Sequence, residues 1–69
     1  MASPLRVVVA PPSSSGGRRV RVDGEILGLA HSLRDLAEFL RRAGLELEPE
    51  ELPGSPLIDW RGVGPEVWT

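Results

Sequence analysis

Apolar and polar residues change rhythm several times along this chain, and each change marks an element. In SPLRVVVA, Leu5, Val7 and Val9 fall at every second position. That alternation suits an edge strand, and a β-prone tail would show it equally. PPSSSGG, at 11–17, joins prolines to serines and glycines and offers nothing to pack, the composition of a flexible linker. Residues 1–17 are therefore assigned to an N-terminal tail and linker, and residues 18–69 to a single domain.

The clearest local pattern is RRVRVDGEILGLA, in which Asp23-Gly24 separates two β-prone runs and supplies the positive φ angles of a two-residue hairpin turn. Pairing outward from that turn sets Val22 against Glu25, Arg21 against Ile26 and Val20 against Leu27. Val20, Val22, Leu27 and Leu29 then share the inner face, with Arg19 and Arg21 on the outer one. Next, Ser32 with Asp35 three residues on opens a helix over LRDLAEFLRRA that Gly44 ends. Leu33, Leu36, Ala37, Leu40 and Ala43 recur at helical spacing with Phe39 on the flank, and this stripe must cover the hairpin.

LELEPEELPGSP alternates Leu with Glu and carries three prolines, which predicts an extended acidic connection instead of a second helix. Leu57–Arg61 follows as a short strand with Ile58 and Trp60 on one face, Asp59 and Arg61 on the other. A right-handed crossover then places the last strand parallel to the second hairpin strand. The expected fold is α+β, a small β-β-α-β domain with a three-stranded sheet in the order 2-1-3 and one helix packed on one face.

Size changes what this fold needs. A chain of 69 residues buries only about 60% of its unfolded surface. With no cysteine, neither a disulfide nor a thiolate metal site can reinforce it, which leaves self-association or a partner. Charge is polarised: residues 1–45 hold seven Arg against four acids, and residues 46–69 hold Arg61 against six. Such an array can orient a polar partner but is not the uniformly basic field that nucleic acid demands. All eight basic residues are Arg, and Lys, Asn, Gln, Tyr and Cys are absent, which reads as codon bias of a GC-rich bacterial gene. The apolar run Leu5–Ala10 is shorter than a membrane span and lacks the build of a secretory signal, so a cytoplasmic location is the default.

Candidate chemistry is sparse. His31 is the only histidine and has no colleague for a triad or a metal. The glycines in Arg61-Gly62-Val63-Gly64-Pro65 resemble a phosphate loop only in part, since Pro65 removes a donor, and they suit a tight turn better. Glu46, Glu48, Glu50 and Glu51 flank Pro49 in place of the glycine turn of a hard-cation loop. Arg18, Arg19, Arg21 and Arg61 form a cluster able to meet an anion, tempered by Asp59. Both tryptophans lie in the last ten positions: Trp60 has strand spacing from Ile58, and Trp68 either closes the core or anchors a partner.

Taken together, these features point to a non-enzymatic protein–protein interaction module, an accessory or regulatory subunit that self-associates as a homodimer or joins a larger complex. Val63, Val67 and Trp68 are the expected apolar anchor, with Arg19, Arg21 and Arg61 setting orientation. No cofactor, metal or membrane contact is expected. Nucleic-acid binding by the arginine-bearing sheet face is the alternative.

Overall fold

Val7 and Val9 on one strand, and Val20 and Val22 on the next, alternate with less buried neighbours and turn the same way, into the core. The computed structural model describes residues 6–69. Its elements are β1 (Val7–Pro12), β2 (Arg18–Val22), β3 (Glu25–Ala30), α1 (Leu33–Arg42), a 3₁₀ turn (Pro49–Glu51) and β4 (Ile58–Trp60). The sheet has four strands in the order β3-β2-β1-β4. β2 runs antiparallel to both of its neighbours, and β4 runs parallel to β1.

The α+β class with one helix therefore holds, while the three-stranded sheet in the order 2-1-3 does not. The additional strand is β1, which lies within the segment assigned to a tail and linker. It is inserted between β2 and β4, so its backbone groups are paired on both sides. Val7 and Val9 are fully buried as a result. Nor is 13–17 a loose linker. The Ser13 N–H donates to the Gly17 carbonyl at 2.9 Å and its hydroxyl to the Gly16 carbonyl at 2.8 Å, closing a β1–β2 hairpin. Residues 1–5 of the assigned tail lie outside the described residues.

The β2–β3 turn follows its sequence: Asp23 and Gly24 both have positive φ, 52° and 87°, as a primed turn requires. Beyond two pairs the register departs from simple alternation. Val20 faces Gly28, not Leu27, because β3 carries a bulge. That extra residue sends Leu29 to the outer face opposite Arg19, where it is 42% exposed, and turns Ala30 into the core. The expected inner position of Leu29 is thus corrected. The residue beside the bulge also meets a steric demand. At Gly28, φ 151°, a Cβ would come within 2.9 Å of the Phe39 ring, so the helix approaches where β3 has no side chain.

Helix α1 begins and ends on local chemistry. The Ser32 hydroxyl accepts from the Asp35 N–H at 3.2 Å, and the Asp35 carboxylate accepts from the His31 N–H at 2.9 Å. At the other end Gly44 takes a positive φ, and the Gly44 and Leu45 N–H groups return to the Arg41 and Leu40 carbonyls. This is the Schellman arrangement. Leu36 and Leu40 are fully buried. The acidic connection is not wholly extended: Pro49–Glu51 makes one 3₁₀ turn against α1, and Leu52 behind it is fully buried. Among the described residues, no helix is long and apolar enough to cross a membrane.

Candidate functional site

Two parts of the molecule gather chemistry-bearing residues, one inside the fold and one on its uncovered surface. The interior one is built on Arg18. β2 alternates, so Arg18 shares its parity with Val20 and Val22 and enters the core, fully buried, opposite Ala30. It does not belong to the outer arginine cluster in which its neighbours had placed it.

A buried guanidinium requires all of its donors to be met. Its Nε–H donates to the Ala10 carbonyl at 2.8 Å. One terminal nitrogen donates to Gly64 at 2.6 Å and Val67 at 3.0 Å, the other to Arg61 at 2.8 Å and Val63 at 3.0 Å. Five donors meet five main-chain carbonyls, four of them in the irregular stretch after β4. The Trp60 and Trp68 rings lie 5.4 and 5.6 Å from the guanidinium carbon and 6.0 Å from each other, edge to face. The Trp60 Nε1–H is buried without an acceptor among the described residues, so this indole contributes through its ring. Burial pushes the Arg18 guanidinium below its ordinary value, and the Glu66 carboxylate opposes that shift.

Residues 61–68 thus form a strap tied down by one side chain. Gly62, φ 85°, permits its close passage, since a Cβ there would lie 3.0 Å from the Pro11 ring. The Gly17 N–H adds a bond to the Trp68 carbonyl at 2.8 Å. Trp60 and Trp68 both pack against the core cluster. Val67 is half-buried, and Val63 is 41% exposed.

The second part is the sheet face turned away from α1 and the strap. Strand register maps it in two rows. Ile26, Arg21, Val8 and Asp59 sit side by side across β3, β2, β1 and β4. In the other row Leu29 faces Arg19 on β2, and a bulge in β1 sets Ala10 and Pro11 opposite the same residue. Arg61 follows two residues after Asp59 and pairs with it at 2.7 Å, both partly exposed. Ile26 is 52% exposed. Among the described residues, Arg19 and Arg21 have no ion-pair partner.

The six residues expected to meet a partner therefore do not make one surface. Arg19, Arg21 and Arg61 lie on the open face, whereas Val63, Val67 and Trp68 belong to the strap on the other side of the sheet. Ile26 and Leu29, absent from that expectation, are the large apolar side chains beside the arginines. Gly28 inside a strand pattern was the available signal, since it marks a bulge and a bulge reverses the faces beyond it.

Elsewhere, a cleft of about 410 Å³ lies between the hairpin turn and the end of α1, floored by Leu27 and Phe39 and rimmed by Asp23, Glu25 and Arg42. The His31 ring packs over Gly17, where a Cβ would come within 2.8 Å of it. No protein-family model, curated protein or solved structure matches the chain.

Proposed function

We propose that this chain is a non-enzymatic protein–protein interaction module, an accessory or regulatory subunit, and that it docks through the open face of its sheet. One observation carries the reading: two of the large exposed apolar side chains, Ile26 and Leu29, stand side by side with the unpaired Arg19 and Arg21. Sheets in small domains bury one face and solvate the other, and a solvated face normally alternates to polar residues. Here it presents an apolar column beside a cationic one, the composition of an interface in which apolar anchors give adhesion and arginines give orientation.

Nucleic acid is the less favoured occupant. Single-stranded platforms stack bases on aromatic side chains. Phe39, Trp60 and Trp68, the only aromatics of the chain, all pack on the core side.

A photo-crosslinking amino acid replacing Leu29, with the same group replacing Glu50 as control, tests the proposal in cells. Protein adducts at position 29 and not at position 50 are expected. Adducts to nucleic acid, or none above the control, would overturn it.

A further inference from the structure

Resting on that reading, we infer that the open face receives a partner helix carrying carboxylates at positions i and i+4 beside an apolar stripe, laid along β2 and β3. The charge pattern and its spacing lead there. Arg19 and Arg21 are two residues apart on one strand, which places them about 6.8 Å apart along it. Residues i and i+4 of a helix stand about 6 Å apart along its axis. Two such carboxylates meet two such guanidinia in register. A helix is about 10 Å across, the width of two strands spaced about 4.8 Å apart. Once the acids sit over β2, its neighbouring stripe falls on Ile26 and Leu29 of β3. The sheet then gains a second helical layer on its bare side.

A second copy of this chain fits the face poorly. Stacking two open faces about an axis across the strands brings the Arg19 and Arg21 columns of both copies together, four cations in one buried line. An axis along the strands avoids that, but lays Ile26 and Leu29 over the Asp59–Arg61 ion pair. The exposed acids of the connection fit no better. Glu46 and Glu50 have the spacing, but Pro49 interrupts the segment and only Pro49–Glu51 is helical. The arginine column, unpaired among the described residues, is the feature that selects a foreign, acidic helix.

The test uses the full chain and three alanine-based helical peptides: one with a Leu stripe and Glu at i and i+4, one with Lys in place of Glu, one with Ser in place of Leu. Titration followed by amide chemical shifts is expected to show the Glu–Leu peptide binding at least about tenfold more tightly than either control. Shifts should gather at Arg19, Arg21, Ile26 and Leu29 and weaken as salt is raised. The Arg19→Glu/Arg21→Glu variant should reverse the preference toward the Lys peptide; both positions are exposed, and a wild-type amide spectrum elsewhere verifies its fold. Equal binding of Glu and Lys peptides, shifts centred on another surface, concentration-dependent self-association that blocks the face, or no binding at millimolar peptide would each overturn the inference. If protein adducts form at position 29 in cells while the Glu–Leu peptide fails, the docking reading stands and the helix inference falls.

Discussion

Arg18 concentrates more of the fold's polar satisfaction than any other residue, because one side chain answers five carbonyls. Replacing it with Ala takes a donor from all five, Arg61 and Gly64 keeping only the Val63 and Val67 N–H groups, and each carbonyl left buried and unpaired costs about 1–3 kcal/mol. A domain of this length has a total stability of only about 3–10 kcal/mol. Arg18→Ala is expected to be unfolded by circular dichroism. Arg18→Lys is the more informative variant, since lysine keeps the charge but offers three donors and no planar fork. Burial lowers the folded-state pKa of a lysine there relative to its unfolded value. The unfolded chain then binds the proton more tightly, so stability is lost as pH falls and regained as pH rises through that window. Arg18 itself is also shifted down, but its window lies in strongly alkaline solution. The urea midpoint of Arg18→Lys should approach that of wild type on going from about pH 6 to about pH 10, relative to the pH dependence of the wild type itself. A gap independent of pH would show that the lysine escapes to solvent. Arg18 was legible in the sequence by parity with Val20 and Val22; its charge outweighed that signal because arginine is so seldom fully buried.

At the scale of elements, bulges on both sides of β2 decide which residues face where. The one in β3 falls at Leu27 and Gly28, and at Gly28 the chain yields space to Phe39. Gly28→Ala should cost about 1–3 kcal/mol, from the clash with the ring and the unfavourable φ together. In a Phe39→Leu background the clash is relieved and the cost should shrink, giving a coupling of about 0.5–3 kcal/mol in a double-mutant cycle. Additive effects would mean that the ring does not set the bulge. The hairpin turn, the helix and its caps were readable because each rests on local chemistry: Asp23-Gly24, Ser32 with Asp35, and Gly44. The central place of β1 was not. Alternation of Val7 and Val9 says that one face is buried, and nothing local says whether one edge or both will be paired. Leu52 was hidden for a related reason, since a leucine among glutamates and prolines follows no period and acquires its burial from the core cluster it joins.

Over the whole molecule, the core side of the sheet is closed by two unlike covers. α1 packs over β3 with repeating helical bonds, whereas the strap has no ladder beyond the Arg61 N–H bond to Val9 and rests on Arg18, the two indoles and the Gly17–Trp68 bond. The two covers should differ in local stability. Hydrogen exchange is expected to find the Val67 amide, bonded to Gly64 at 3.4 Å, exchanging well before that of Leu36 in α1, bonded to Ser32 at 3.1 Å. Equal protection of the two would mean that strap and sheet open only together.

The strap also bears on how the chain is made. Arg18 donates to carbonyls 43, 45, 46 and 49 residues farther on, and β1 obtains its β4 partner from Ile58–Trp60. In vectorial synthesis at about 5–20 residues per second, the β2–β3 hairpin leaves the ribosome before those acceptors emerge. During that interval Arg18 must stay in water, and the valines of β1 have only one edge to pair. The native core is therefore completed only after Val67 has emerged, so a nascent chain stalled before that point should carry the hairpin and helix without the finished sheet.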